Sequence, residues 1–174
     1  MEETEQHVKQ QESLRISIIS SNKFLLLNLL TLNLYTIWWM YKAWTCIRHK
    51  ENSDILPVPR ALFGILFIYS LFQKIRTFAL EHAFPRDFSP LLLFLAIIIV
   101  NVVPAFPAIK EDFGILSLLA SIFFIAPNEA LNYALLNAKD FDAVEEEGIT
   151  LNQFILIFIG ICLWSVYLDS MFNG

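Results

Sequence analysis

Long apolar runs fill most of the chain between Lys23 and Phe172. Two of them, at positions 61–72 and 91–103, contain no charged side chain. Helices built from such runs are apolar on every face, which a helix tolerates only inside a large core or in lipid. A chain of 174 residues has no core large enough to bury several such helices. The pattern therefore predicts an all-α, polytopic membrane bundle with four to five membrane-embedded helices, one of them Pro-kinked or re-entrant.

The first two predicted spans lie in the N-terminal half. One covers Lys23–Trp44, which has roughly the 20 residues that cross a hydrocarbon core. It ends in a cluster of Trp and Tyr residues typical of the headgroup level. A polar loop with Pro57 and Pro59 follows, and proline suits the first turn of a new helix. The second span then covers Arg60–Ile75 and extends as a polar helix towards Ala83.

Three further apolar runs follow in the C-terminal half. Leu91–Val103 is short, which is typical of a tilted crossing, a crossing of a thinned membrane, or one half of a re-entrant hairpin. The next run begins near Phe113, and Pro127 either kinks that helix or starts a second one. The last run, Leu151–Phe172, is long enough to span and follows a Thr-x-x-Gln capping box at positions 150–153.

Polar segments surround these runs. Residues 1–12 are predicted to form a solvated tail. The alternating, Ile-rich stretch Leu14–Ser20 is predicted to lie at the membrane interface as an extended or single-turn segment. Residues 1–22 are thus a polar tail and interfacial segment, and residues 23–174 form a single helical membrane domain. The stretch Lys139–Gly148 is predicted to be an acidic loop.

Composition and charge favour a membrane location and exclude one class of partner. Hydrophobic residues make up 56% of the chain and charged residues 17%, whereas soluble domains hold about 25% charged residues. The net charge is −5 and no basic stripe is present, so no nucleic acid partner is expected. The distribution of Lys and Arg favours a cytoplasmic N-terminus by a small margin. Cys46 and Cys162 are too isolated to form a disulfide framework or a metal site.

Polar residues at membrane depth are the first candidates for a site, because charged groups there usually face a bundle interior or a water-filled cavity. Asn128 and Asn132 are one helical turn apart and share a face, and Glu129 lies beside them after Pro127. Together with Asn101 they form the candidate ion or polar intramembrane site, or a polar clamp between helices. Alternatively, Glu129 lies in the first turn of an interfacial helix, where its charge suits the helix dipole.

Other polar groups have simpler explanations. Asn28 and Asn33 are expected to form hydrogen bonds between helices, with a substrate pathway as the alternative. An acidic cluster consists of Asp140, Asp142, Glu145, Glu146 and Glu147. It lacks the spacing and central glycine of an EF-hand loop. The cluster is therefore predicted to be a solvated surface loop or a docking patch for a basic partner, and no metal site is predicted.

The motif Thr-x-x-x-Tyr-x-x-x-Trp-x-Tyr-Lys-x-Trp occurs at positions 31–44, within the stretch Lys23–Ile75. It resembles the signature of a group of small bacterial multi-pass inner-membrane proteins of unknown function. The resemblance implies a bacterial inner-membrane protein and implies no activity. The group has a glycine ahead of the tyrosine where this chain has Asn33-Leu34, which argues against a sharp helix break at that point.

Residues of this motif are the candidates for binding lipid headgroups. Tyr35, Trp39 and Lys42 share one helical face, and an aromatic ring beside a cation suits a cation–π contact or phosphate binding at the headgroup layer. The complete candidate set is Tyr35, Trp39, Tyr41, Lys42, Trp44 and Arg48. Simple anchoring of the helix at the interface is the alternative explanation.

The sequence contains no HExxH, GxSxG, P-loop or GxGxxG motif. No catalytic residue, metal or cofactor is therefore predicted, and an enzyme is the less favoured class. We expect a small membrane scaffold or accessory subunit, in contact with the lipid bilayer and with copies of itself or another membrane protein. One alternative is a small transporter or ion-conducting oligomer that uses Asn128, Glu129 and Asn132. The other is a lipid-binding or lipid-modifying enzyme with its site near Trp39–Arg48.

Overall fold

The computed structural model describes residues 14–102 and 111–173 of the chain. Within this part, the chain forms seven α-helices, one 3-10 helix and two short strands, so the predicted helical class is confirmed. The elements in chain order are β1 (Leu14–Ile18), α1 (Ser21–Leu30), α2 (Leu34–Glu51), α3 (Pro57–Leu62), α4 (Gly64–Glu81), α5 (Pro90–Val102), the 3-10 helix (Glu111–Phe124), α6 (Ile125–Asn137), β2 (Phe141–Glu145) and α7 (Leu151–Asn173).

The first predicted span is a helical hairpin instead of one helix. Helix α1 ends at Leu30, and Leu32 and Asn33 then take φ angles of 49° and 67° before α2 begins. Asparagine adopts this left-handed conformation more readily than most residues, because its short polar side chain bonds locally. The prediction of a single span over Lys23–Trp44, and the argument against a sharp break at Asn33-Leu34, are therefore wrong.

Aromatic packing holds the two arms of this hairpin together. The Phe24 ring lies edge-on to the rings of Tyr35 and Trp39, at centroid distances of 5.9 and 5.8 Å. Further along, the Thr36 hydroxyl donates a hydrogen bond of 2.7 Å to Oδ1 of Asn28, and both side chains are buried. This is the hydrogen bond between helices that the sequence predicts for Asn28.

The second predicted span is also divided. Helix α3 packs along α2, and only Phe63 separates it from α4. Helix α4 is amphipathic: it buries one stripe and carries Lys74, Arg76 and Glu81 in its C-terminal half. The predicted apolar span over Arg60–Ile75 is therefore wrong, because the chain turns at its beginning and becomes charged at its end.

The third and fourth apolar runs pack against each other as α5 and the 3-10 helix. Helix α5 has 13 residues, which is short for a crossing. The 3-10 helix continues into α6 at Ile125, so Pro127 lies in the first turn of α6, where a missing N–H is tolerated. The turn between the two runs lies largely outside the described residues.

Two short parallel strands join segments from opposite ends of the chain. Leu14 of β1 lies opposite Phe141 of β2, and Ile18 lies opposite Glu145. The extended conformation predicted as one alternative for Leu14–Ser20 is thus present. The predicted acidic loop is wrong in its central part, which forms β2.

Ion pairs gather at one end of the molecule, which we call the polar end. It comprises the C-terminal turns of α2 and α4, the connection at positions 82–89 and the two strands. The pairs are Lys50–Glu81, Lys74–Glu51 and Arg76–Asp87, with N–O distances of 2.5, 2.6 and 2.6 Å. The Phe141 ring of β2 packs here against His49 of α2 and Phe78 of α4.

Helix α7 begins with the predicted capping box. The Thr150 N–H donates to Oε1 of Gln153 at 3.1 Å, and the Gln153 N–H donates to Oγ1 of Thr150 at 3.4 Å. One stripe of α7 contacts the rest of the protein, with Gln153 and Gly160 buried and the Trp164 indole donating to the Leu29 carbonyl at 3.0 Å. The remaining faces are apolar and exposed.

Two helical stretches within the described part of the chain are long and apolar enough to cross a membrane: Leu118–Asn137 and Leu151–Ser170. Half of the first is buried inside the fold, whereas only 11% of the second is buried. The prediction of four to five membrane-embedded helices is not met, because tight turns divide the first two runs and α5 is short. Two such helices are weak evidence of membrane association, because the buried core helix of a soluble protein can be equally long and apolar.

Candidate functional site

A buried carboxylate joins four elements at the end of β2. The Glu146 side chain is only 6% exposed. Its Oε1 accepts hydrogen bonds from Oγ of Ser17 at 2.7 Å and from Nζ of Lys42 at 3.0 Å. Its Oε2 accepts from Nζ of Lys23 at 3.3 Å and from Nε2 of Gln153. We call this group of five side chains the Glu146 junction, and it connects β1, α1, α2 and α7 through one carboxylate.

The electrostatics of the junction favour an ionised Glu146. Burial raises the pKa of its carboxyl, but the hydrogen bond from Ser17 and the charge and hydrogen bond of Lys42 outweigh burial. The pKa of Glu146 therefore lies below its usual value. Lys23 also donates to the backbone carbonyls of Glu146 and Gly148, at 3.2 and 2.6 Å. The lysine thus fixes the loop that leads from β2 into α7.

Gln153 extends the junction into the first turn of α7. Its Nε2 donates to Glu146 and also lies 3.4 Å from Oη of Tyr35. Gln153 and Tyr35 are both fully buried. Since Oε1 of the same amide completes the capping box, this one side chain sets the start of α7 and its position against α2.

The amides of Asn128 and Asn132 bind the backbone that leaves β1. Both donate to the carbonyl oxygen of Ile19, at 3.0 and 2.7 Å. Oδ1 of Asn128 accepts a hydrogen bond of 2.8 Å from the Trp39 indole, and both of these side chains are almost completely buried. The two amides therefore link α6 to β1 and α2, which is the arrangement of a polar clamp.

Glu129 and Asn101 lie apart from this clamp. Glu129 forms an ion pair of 3.1 Å with Arg86 and accepts a 3.5 Å hydrogen bond from Ser21, with a third of its side chain exposed. Asn101 is exposed on α5, and its amide donates to the Ile97 carbonyl of the same helix at 2.8 Å. The four polar candidates thus do not converge on one point.

The candidates for headgroup binding separate into core and surface residues. Three aromatic side chains are 2% exposed or less: Tyr35, Trp39 and Trp44. Lys42 is mostly buried and is bound to Glu146. Tyr41 is partly exposed and Arg48 is exposed, so these two remain available at the surface.

The acidic cluster is exposed except for one member. Its exposed residues are Asp140, Asp142, Glu145 and Glu147. Across the described residues, no group of three His, Cys, Asp or Glu side chains is arranged to hold a metal ion. Nothing in the run of three glutamates singles out the buried Glu146. The sequence does contain one signal that points to a buried carboxylate: Lys23 and Lys42 lie within an apolar run, and a cation there needs a counter-charge.

Comparison with protein-family models, curated proteins and solved structures found no significant match to this chain. The chemistry of the site is therefore derived from its own residues. The junction and the clamp share one property: every polar group in them bonds to another part of the same chain. Such an arrangement is suited to holding elements together.

Proposed function

We propose that this protein is a small, non-enzymatic scaffold or accessory subunit of a bacterial inner membrane, where it contacts copies of itself or another membrane protein. The observation that carries the proposal is the surface of α7. This helix is apolar along most of its length, yet only 11% of the span Leu151–Ser170 is buried. Its remaining surface is free to contact lipid and other membrane helices.

The use of the polar residues also supports a structural role. Asn128 and Asn132 bond to a backbone carbonyl and an indole inside the fold, and Glu129 pairs with Arg86. A transport pathway needs polar groups that face a cavity and exchange partners with the substrate. These groups already have protein partners, so a transporter is the weaker candidate.

The same reasoning applies to catalysis at the aromatic motif. Lys42 forms an ion pair with Glu146, and the Trp39 indole donates a hydrogen bond to Asn128. A lysine that acts as a base or a nucleophile must present its amine to the substrate. Nζ of Lys42 is instead held in an ion pair of 3.0 Å with Oε1 of Glu146. A lipid-modifying enzyme centred on Lys42 is therefore also weaker.

Charge distribution suggests an orientation for this protein. The polar end carries several cations, among them Lys50, Lys74 and Arg76. Cytoplasmic segments of membrane proteins carry an excess of Lys and Arg. We therefore assign the polar end to the cytoplasm, with α7 extending from the Glu146 junction into the bilayer.

Photo-cross-linking in native membranes tests the proposal. A photoreactive phenylalanine analogue is placed at Phe158, which is 64% exposed on α7, and at the neighbouring Ile157, which packs against the protein core. We expect a discrete adduct with a second copy or one defined membrane protein from position 158, and intramolecular products from position 157. Adducts with lipid alone from position 158, together with a strictly monomeric protein in mild detergent, would refute the scaffold role.

A fractionation experiment tests the membrane location separately. Membranes of producing cells are washed with alkaline carbonate, which removes peripheral proteins. We expect the full-length chain to stay in the pellet and to enter solution only with detergent. Release by carbonate alone would contradict an integral membrane protein.

A further inference from the structure

A second feature, separate from the Glu146 junction, is an apolar groove between α2 and α3. Its volume is about 370 Å³, within the range of roughly 300–1,000 Å³ that is typical of ligand sites. The groove is lined by Ile37, Trp38, Tyr41, Val58, Leu62 and Leu156. The rings of Trp38 and Tyr41 pack together along one wall, with their centroids 5.3 Å apart.

The α3 residues that line the groove are exposed. Val58 and Leu62 line it and are 54% and 65% exposed. On the α2 side the lining includes two amphipathic rings, which favour the boundary between hydrocarbon and headgroups. The groove therefore offers an exposed apolar surface, and Tyr41 is the lining residue of α2 that lies nearest the polar end.

A cation lies on the same face of α2, nearer the polar end. Arg48 is seven residues beyond Tyr41, which is almost two helical turns and about 10 Å along the helix axis. Arg48 is exposed, and within the described residues no ion pair involves it. By contrast, Lys50 and Lys74 of the polar end are paired with glutamates. Arg48 thus offers an unneutralised charge above an apolar groove.

We propose that the groove holds one acyl chain of an anionic phospholipid and that Arg48 binds the phosphate of that lipid. The separation along α2 matches the order of groups in such a molecule, with the charge at the polar end and the hydrocarbon deeper. A guanidinium is well suited to phosphate because its planar donors match the phosphate oxygens. The inference needs the membrane location given above and is independent of the scaffold role.

Native mass spectrometry of the full chain tests this site. The protein is reconstituted into vesicles of equal parts phosphatidylglycerol and phosphatidylcholine, and released in mild detergent. We expect the wild-type protein to retain one phosphatidylglycerol molecule per chain in preference to phosphatidylcholine. Val58→Trp places a large ring in the groove and should abolish the retained lipid. Leu66→Trp changes another exposed position, 73% exposed on α4, and should retain it.

The charge of Arg48 is tested in the same assay. Arg48→Gln should lower the preference for phosphatidylglycerol about fivefold, as expected for one basic residue near the membrane surface. Lys139→Gln, which removes another exposed cation, should leave the preference unchanged. If Val58→Trp elutes as an aggregate, Leu62→Ser replaces it, since that change removes groove surface without adding bulk.

Three results would overturn the proposal. The first is a wild-type protein that retains no lipid or retains both lipids equally. The second is a groove variant that retains as much phosphatidylglycerol as the wild type. The third is an Arg48→Gln variant with an unchanged preference. A loss of cross-links from α7 with normal lipid retention would instead contradict only the scaffold role.

Discussion

Gly160 of α7 lies directly against the backbone of Leu30 at the end of α1. A Cβ atom on this glycine would be 2.3 Å from the Leu30 carbonyl oxygen and 2.7 Å from Cα of Thr31. Both neighbours are backbone atoms that belong to the turn of the α1–α2 hairpin, so neither can rotate away. The absence of a side chain at position 160 therefore allows α7 to dock on the hairpin, as small residues do where membrane helices approach closely.

Gly160→Ala should loosen this docking. The added methyl group forces the two backbones apart, and overpacking of this kind typically costs about 1–3 kcal/mol. We expect the melting temperature in detergent, followed by intrinsic fluorescence, to fall by several degrees. Gly148→Ala is the matched control, because nothing lies within 4 Å of a Cβ placed there. Equal melting temperatures for the two variants would contradict the close approach of α7.

Glu146→Gln should destabilise the protein strongly. The change leaves Lys23 and Lys42 without their carboxylate in a largely buried position. Breaking one side of a buried ion pair typically costs about 3–5 kcal/mol. Glu147→Gln alters the neighbouring, exposed carboxylate and should change the free energy of unfolding by less than about 0.5 kcal/mol. Chemical unfolding in detergent measures both, and similar values would show that Glu146 does not organise the junction.

The Glu146 junction should also lose stability in acid. The folded-state pKa of Glu146 lies below the usual value, although burial opposes the lowering, because Ser17 and Lys42 stabilise the carboxylate. Its contribution is therefore complete above the ordinary carboxyl pKa of the unfolded state and is lost as pH falls through the lower folded-state pKa. Tyr35 also faces Glu146, and burial raises the pKa of its hydroxyl, so it keeps its proton throughout this window.

Melting temperatures at pH 7 and pH 3 measure this effect. We expect the wild-type protein to lose more stability between these pH values than Glu146→Gln does, because the variant has no carboxylate to protonate. Because the wild type and the variant differ only at position 146, the other titrating groups affect both proteins equally. Parallel pH profiles for the two proteins would mean that Glu146 titrates normally in the folded state.

Asn128→Ala should weaken the attachment of α6. The substitution leaves the buried Trp39 indole without an acceptor and removes one of the two donors to the Ile19 carbonyl. An unsatisfied buried polar group costs about 1–3 kcal/mol. Asn137→Ala, on the exposed end of the same helix, removes a hydrogen bond of 2.8 Å to the Tyr133 carbonyl only and should have a much smaller effect. The unfolding midpoint in detergent distinguishes them, and a milder effect at Asn128 would argue against the clamp.

Several features could be predicted from local sequence alone. The capping box at Thr150 and Gln153 is present because its geometry depends on residues within one helical turn. The extended conformation of β1 agrees with its alternating pattern. The shared face of Asn128 and Asn132 follows from helical periodicity, and both amides bind the same carbonyl oxygen. Each of these inferences required no knowledge of what lies opposite in space.

Hydrophobic content by itself determined that this chain forms mostly helices and that α7 is apolar along most of its length, because these properties depend on composition and period along the chain. Only the tertiary structure decided that the first run turns back at Leu32 and Asn33. An apolar run has the same sequence pattern whether it crosses a membrane as one helix or reverses its direction. Only the tertiary structure decided that Glu146, among three adjacent glutamates, is the buried one. The physical reason is that its partners Lys23 and Lys42 are distant in sequence and meet it only when β1 pairs with β2.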